Sequence, residues 1–259
     1  MCTGSLRIFA MVVVVLFAFT SAEADDGLLR VMTYNIHHGR GLDGKIDLRR
    51  IADVIKDAQP DLVALQEVDF KTRRSGGVDQ SAVLGELCSM HAIFGRASDY
   101  QGGQYGNAVL SSRPFLSTKN HRLPKGGAEN RASIAATVQL HKRQAVTFAS
   151  THFDHINAKA RTDAAELLAG LVPASSSLVI LAGDLNCSPD AAELHPLLQV
   201  FRSVNAEPIA TFPGRSPTSQ IDYILYDRRA RWTVESCEVI DDNGASDHRP
   251  ILAVIRVRR

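Results

Sequence analysis

Short apolar runs of strand length alternate with turn signals along most of the chain. Several runs are apolar at every position, which is typical of strands that are buried on both faces. The pattern predicts strands near Leu29–Asn35, 61–65, Asn107–Leu110, Ser133–Gln139, Ala145–Ser150, Leu178–Ala182, Ile221–Tyr226, Thr233–Val239 and Ile251–Val257.

Three segments show the period of amphipathic helices. Asp47 is a good N-cap for the first, which Pro60 ends. The others are predicted over about Gln80–Met90 and Ala158–Leu171. Many strands with few helices favour an α/β (α+β) fold, a four-layer sandwich of two packed mixed β-sheets flanked by helices. A doubly wound sheet fits less well, because no G-x-G-x-x-G follows the first strand and the C-terminal half is rich in strands.

The N-terminus has the three parts of a signal peptide. Arg7 is followed by an apolar stretch of roughly 12 residues, shorter than the about 20 that a spanning helix needs, and then by Ala22 and Ala24. We expect residues 1–24 to be removed and residues 25–259 to form a single catalytic domain, secreted or periplasmic, with no stable membrane span. An uncleaved N-terminal anchor is the alternative.

The charge balance bears on possible partners. Twenty-nine Lys and Arg against twenty-eight Asp and Glu give a net charge of +1, so a strongly basic arm for nucleic acid is absent. Three cysteines follow the predicted signal peptide, in no metal-binding spacing, and allow at most one internal disulfide. A Cys187–Cys237 bridge is conceivable.

Polar side chains stand where many predicted strands end. Because strand ends meet at one edge of a sheet, these side chains are expected to share a cleft. Each residue alone has a structural reading, such as an Asx turn at Asp184, but so many coincidences favour a site. Oxygen ligands without cysteine suit a hard cation such as Mg²⁺, Mn²⁺ or Ca²⁺. The set comprises Asn35, Glu67, His152, Asp184, Asn186, Asp222, Asp247 and His248.

These residues lie in ordered motifs that together resemble a known superfamily. The motifs are Thr33–Ile36, Asp61–Glu67, Gly106–Ser111, Ser150–His152, Ala182–Asn186, Ile221–Ile224 and Ser246–Pro250. They resemble the endonuclease/exonuclease/phosphatase superfamily, which includes deoxyribonuclease I, and more closely its bacterial metal-dependent hydrolases. The resemblance covers nearly the whole predicted mature chain. It implies a deoxyribonuclease I-like sandwich and divalent-metal-dependent hydrolysis of phosphoesters.

The resemblance also implies a role for each residue. Glu67 would be the principal metal ligand, and Asn35 and Asp247 would complete or support the metal shell, with Mg²⁺ as the expected ion and Mn²⁺ or Ca²⁺ as alternatives. The remaining roles are catalytic. Asp184 would orient or deprotonate the attacking water, and Asn186 would hold that water or a phosphate oxygen. His248, oriented by Asp222, would contact the phosphoryl group, and His152 would bind a second phosphate oxygen.

Five further residues are candidates for substrate binding. They are Arg73, Arg74, Asn107, Arg131 and His155. Arg73 and Arg74 lie in a glycine-rich loop where they can clamp an anionic group or form a solvated charge pair. Asn107 and Arg131 adjoin the motifs, although Arg131 is equally suited to a structural ion pair. His155 either lines the pocket or caps the next helix.

Two histidines, His37 and His38, lie beside Asn35 and can contact a metal ion. A zinc site would, however, require more nitrogen or sulfur ligands nearby.

Three functions remain open from the sequence. We favour hydrolysis of a small or lipid-linked phosphoester, with a small molecule or lipid head group as the partner and a monomeric enzyme. A secreted endonuclease on DNA or RNA is the alternative, which the balanced charge disfavours mildly. An inactive binding module is the remote third, because the polar set is complete.

Overall fold

The computed structural model describes residues 27–126, 129–141, 144–242 and 244–257. The predicted signal peptide, residues 1–24, lies outside the described residues. Within these ranges, no helix has the length and apolar character needed to cross a membrane.

The described residues form two six-stranded sheets. The first contains β1 (Leu28–Asn35), β2 (Leu62–Phe70), β3 (His91–Tyr100), β4 (Gly103–Ser111), β11 (Thr233–Val239) and β12 (Ile251–Arg256), in the order β11-β12-β1-β2-β4-β3. The second contains β5 (Phe115–Arg122), β6 (Ala132–His141), β7 (Gln144–His152), β8 (Leu178–Asp184), β9 (Phe201–Ser203) and β10 (Asp222–Asp227), in the order β5-β6-β7-β8-β10-β9. Both sheets are mixed, because β1 pairs with β2, and β7 with β8, in parallel.

In the part of the chain that the structure describes, four helices accompany the sheets: α1 (Leu48–Ala58), α2 (Gln80–Cys88), α3 (Ala158–Leu171) and α4 (His195–Val200). Asp47 caps α1 as predicted, since its side chain accepts hydrogen bonds from the backbone NH groups of Arg49 and Arg50. Asn157 caps α3 in the same way through the NH of Ala160. Single 3₁₀ turns occupy His37–Gly39 and Ala192–Leu194.

Three clusters of buried apolar side chains lie between the layers of the described sandwich. The central one lies between the sheets and includes Val31, Phe148 and Ile224. A second packs α3 and α4 against the second sheet, and a third packs α1 and α2 against the first. Apolar contact on both faces explains why the central strands are apolar throughout. The predicted four-layer sandwich is confirmed.

Three of the four edge strands of the described sheets escaped the prediction from sequence, whereas β11 was predicted with its observed bounds. β3, β5 and β9 each lie at the edge of a sheet. β5 is almost wholly exposed or half-buried, so its sequence carries no apolar run to mark it. The short α4 was missed for lack of a full amphipathic period. Cys88, Cys187 and Cys237 are free thiols, so the conceivable disulfide is not formed.

Polar bonds join the two sheets at one end of the sandwich. Asn35, the last residue of β1, donates from Nδ2 to Oδ2 of Asp184, the last residue of β8, at 3.1 Å. Gln66 donates from Nε2 to Ser150 Oγ in β7 at 3.1 Å. The ends of β1, β2, β7 and β8 therefore meet, and this junction holds most of the predicted site residues.

Candidate active site

Asp184 occupies the centre of the junction. Its side chain is 2% exposed, and Oδ1 accepts a hydrogen bond from the Asn186 NH at 2.9 Å. Its register partners are His152 on β7 and Asp222 on β10. His152 Nε2 lies 3.4 Å from Oδ2 of Asp184. The sheet pairing thus places three predicted catalytic residues side by side.

Burial makes Asp184 a proton acceptor suited to neutral pH. Burial, and next the negative charge of Asp222, raise the pKa of Asp184 to about 7, against the opposing effects of His248 and of hydrogen bonds from Asn186 and Asn35. A carboxylate with a pKa near the working pH has the properties of a general base.

His248 and Asp222 form a buried pair. His248 Nδ1 lies 3.0 Å from Asp222 Oδ2, and His248 Nε2 lies 3.8 Å from Asp184 Oδ2. Burial alone would lower the pKa of His248, but Asp222, followed by Asp184 and Asp247, outweighs it and raises the pKa to about 10. His248 is therefore a cation at neutral pH and can face a phosphoryl group.

A second cationic group, the guanidinium of Arg131, lies beside His152. Arg131 Nη1 lies 3.1 Å from His152 Nδ1, and Arg131 Nη2 lies 3.1 Å from His155 Nδ1 and 3.2 Å from Glu129 Oε2. Burial, then the charges of Arg131 and His248, hold the pKa of His152 well below its usual value. The neutral imidazole and the buried guanidinium form an environment suited to an anion.

Glu67 reaches the site through a distortion of its strand. The β2–β4 register shifts between Leu65 and Val68, and Glu67 has a φ of 58°. A bulge of this kind redirects a side chain, and such strained backbone occurs at functional sites. Asn35 Nδ2 lies 3.3 Å from Glu67 Oε1. Asn35 therefore donates to two carboxylates, which is the supporting role implied for it.

Asp247 lies on the loop between β11 and β12. Its Oδ1 is 3.5 Å from His37 Nδ1 and accepts from Ser246 Oγ at 3.4 Å. Ser246 also donates to the backbone oxygen of Asn35 at 2.7 Å, which anchors this loop to the end of β1. Two carboxylates and an amide at one junction fit a divalent cation by their donor chemistry.

The other candidate substrate residues divide between pocket and scaffold. Arg131 and His155 adjoin His152, as described. Asn107 is buried and donates from Nδ2 to the Ala132 oxygen at 2.7 Å, so it holds the start of β6. Arg74 forms a bidentate pair with buried Asp69, at 2.8 Å for each bond, whereas Arg73 is exposed.

The structure adds two residues to which the sequence assigned no role. Thr211 is fully buried and donates from Oγ1 to Asp222 Oδ2 at 2.6 Å, the same oxygen that faces His248. No strand-end signal marks Thr211. Tyr105 lies close to Glu67 and Arg131, and burial followed by the charge of Glu67 raises its pKa well above the usual value. Tyr105 directly precedes the Gly106–Ser111 motif, which was the one available signal.

Comparison with known proteins covers most of the chain. The sequence profile of the Endonuclease/Exonuclease/phosphatase family matches residues 32–248. YbhP of Escherichia coli strain K12 is 25% identical over 245 residues, which cover 88% of this chain and 96% of YbhP. An endonuclease/exonuclease/phosphatase from Beutenbergia cavernae DSM 12333 has a crystal structure that matches with a TM-score of 0.73 at 26% identity, over 89% of this chain and 72% of that one.

A mannosyl-6-phosphatase of Bacteroides thetaiotaomicron VPI-5482 shares the fold, with a TM-score of 0.71 at 19% identity over 88% of this chain and 99% of that one. The two six-stranded sheets agree with these structural matches. The chain therefore belongs to the Endonuclease/Exonuclease/phosphatase family.

Proposed function

We propose that this chain is an exported, divalent-metal-dependent hydrolase that uses an activated water to cleave a small or lipid-linked phosphoester. Members of the family are hydrolases that act on phosphoester bonds. The observation that carries the proposal is the position of Asp184, a carboxylate that is 2% exposed and lies 3.4 Å from His152 Nε2 and 3.8 Å from His248 Nε2. Export is supported by the sequence from Arg7 to Ala24.

The chemistry follows from the charges around Asp184. Asp184 takes the proton of the attacking water, while Asn186 holds that water or a phosphate oxygen. His248, cationic beside Asp222, faces the negative charge that develops on the phosphoryl oxygens. Phosphoryl transfer depends mainly on such positioning and electrostatic stabilisation.

A divalent cation completes this arrangement. Glu67, Asp247 and the supporting Asn35 would hold the ion, and when bound it supplies positive charge that polarises a phosphoryl oxygen. Arg131 and His152 lie on the other side of Asp184 and would contact a second oxygen. The cation on one side and Arg131 on the other would together balance the negative charge of one phosphate group.

A neighbouring cleft supports a small anionic substrate. The cleft has a volume of about 510 Å³ and is lined by Arg50, Arg215 and Arg249 together with Asp43 and Asp241. Gly214, also in its lining, donates to the backbone oxygen of Asp247 at 2.6 Å, which connects the cleft to the loop that carries Asp247. Three arginines against two aspartates leave one net positive charge, which suits a single anionic head group better than a nucleic-acid backbone.

A substrate panel tests the proposal. The full chain is assayed with Mg²⁺, Mn²⁺ or Zn²⁺ on bis-p-nitrophenyl phosphate, sphingomyelin, phosphatidylinositol derivatives, plasmid DNA and RNA. We expect metal-dependent hydrolysis of a small or lipid phosphoester, its loss in Glu67→Gln and Asp184→Asn, and its retention in Glu166→Gln, an exposed control on α3. Faster cleavage of DNA or RNA would favour the nuclease alternative, and no hydrolysis with any metal would contradict the proposal.

A further inference from the structure

We propose that His37, His38 and Glu67 form one cation site, which binds Zn²⁺ more tightly than Mn²⁺ and Mn²⁺ more tightly than Mg²⁺. The inference goes beyond the proposed function by naming the ion that this chain selects. It rests on that function only in placing a cation at Glu67. Its test measures binding without substrate, so it can fail while hydrolysis stands.

The three side chains already converge. One potential ligand atom from each lies within 4.8 Å of the other two. The rings of His37 and His38 meet edge to face with centroids 4.6 Å apart. The histidines are consecutive residues and both have positive φ, 45° and 48°, which turns them toward the same place from a single 3₁₀ turn.

A second observation points to a ligand. The side chain of His38 is among the buried polar residues, at 7% exposure, and its Nδ1 has no hydrogen-bond partner among the described residues. A buried polar atom without a partner is costly, and such atoms are uncommon in folded proteins. A bound cation would offer the histidine ring a partner within the cluster.

The surrounding charges permit a cation there. Arg74 is the cationic side chain whose charge acts most strongly on His38, but its guanidinium is neutralised by two 2.8 Å bonds to Asp69. Asp247 Oδ1 lies 3.5 Å from His37 Nδ1, which places a further carboxylate beside the cluster. A carboxylate facing a histidine ring is the common arrangement that orients metal-binding histidines.

The donor set decides between metals. Mg²⁺ prefers oxygen ligands, whereas imidazole suits Zn²⁺ and other first-row ions. Two histidines and one glutamate are also a known ligand set of catalytic zinc sites. From the sequence, a zinc site lacked further nitrogen or sulfur ligands near His37 and His38. The structure supplies a carboxylate instead, because it brings Glu67, 29 residues beyond His38 along the chain, into the group.

Metal titration of the full chain, freed of metal with a chelator, tests the site. Co²⁺ serves as the spectroscopic probe, and Zn²⁺, Mn²⁺ and Mg²⁺ are then titrated in competition with it. The variants are His37→Asn and His38→Asn, because Asn tolerates the left-handed backbone found at both positions. His195→Asn, at an exposed histidine on α4, is the matched control. Urea unfolding in chelator confirms that each variant folds.

We expect Co²⁺ to give visible absorption bands in the wild type and in the His195→Asn control. Each site variant should lose these bands and bind Zn²⁺ at least ~10-fold more weakly. Its Mg²⁺ affinity should change by less than about threefold, because oxygen donors remain. An unchanged Co²⁺ spectrum and Zn²⁺ affinity in both folded variants, or tighter binding of Mg²⁺ than of Zn²⁺ by the wild type, would overturn the proposal.

Discussion

Asp222 lies directly opposite Asp184 in the antiparallel pairing of β10 with β8. Two buried carboxylates on neighbouring strands disfavour each other's ionisation, and Asp222 accordingly contributes to the raised pKa of Asp184. His248 lies between them, with Nδ1 at 3.0 Å from Asp222 and Nε2 at 3.8 Å from Asp184. One imidazole therefore links the residue that orients it to the proposed base.

Because Asp184 and His248 serve the same transition state, we expect their losses to be non-additive. Asp184→Asn and His248→Ala should each lower turnover by on the order of 10²-fold or more. The turnover of the double variant should be little lower than that of the less active single variant. Kinetics on bis-p-nitrophenyl phosphate measure this, with His195→Ala as the control. Near wild-type turnover in either single variant would show that its assigned role is wrong.

Thr211 is predicted to position Asp222. Thr211→Val keeps the shape of a fully buried side chain but removes the 2.6 Å hydrogen bond to Asp222 Oδ2. We expect a loss of about 1–3 kcal/mol in the free energy of unfolding. We also expect kcat to fall with KM nearly unchanged and the pH–rate profile to shift, while Thr211→Ser restores both. A loss of stability with kcat and the pH profile intact would reduce Thr211 to a packing residue.

The two adjacent arginines should behave differently. Arg74 neutralises the fully buried Asp69 and lies over Tyr100, with its guanidinium carbon 4.6 Å from the ring centroid. Arg74→Gln leaves a buried carboxylate without its cation, so unfolding should become easier by more than about 1 kcal/mol. Arg73→Gln, at an exposed position, should stay within about 0.5 kcal/mol of the wild type. Equal urea midpoints for the two variants would refute this assignment of Arg74.

The buried His248–Asp222 pair predicts a pH dependence of stability. The pKa of His248 is raised from 6.5 to about 10 in the folded protein. The stabilisation that the pair provides is therefore fully present below pH 6.5 and is lost as the pH rises toward 10. Asp222→Asn should flatten this decline by more than about 1 kcal/mol. Urea unfolding in chelator at about pH 7.5 and pH 10 measures it. The same decline in both proteins would contradict the pairing, since groups common to both cancel in the difference.

The sequence from Arg7 to Ala24 predicts that the mature protein begins at Asp25. N-terminal sequencing of protein recovered from outside the cytoplasm should find Asp25 as the first residue. A variant with Ala24 replaced by a bulky residue should accumulate uncleaved, since small residues are required there. An intact Met1 on membrane-bound protein would instead support the uncleaved anchor.

Elements with strong local signals were predictable. The helix predicted over Ala158–Leu171 has those bounds in the structure, because its amphipathic period and its cap are local. The ends of β1, β7 and β8 were predictable for the same reason: an apolar run stops at a polar residue. β3 and β5 were not, because neither has a run of buried residues: β3 has one buried position and β5 has none.

The sequence by itself determined which polar residues end the buried strands and therefore the sandwich, the family and most of the candidate site. Only the tertiary structure decided which side chains lie together. Asn35 donates to both Glu67 and Asp184, and Thr211 donates to Asp222. Arg74 pairs with Asp69, and His37 and His38 lie close to Glu67. The physical reason is range. Burial and turn preferences act on neighbouring residues and are written locally, whereas hydrogen bonds, pKa values and metal ligation depend on side chains that only sheet pairing and a strand bulge bring together.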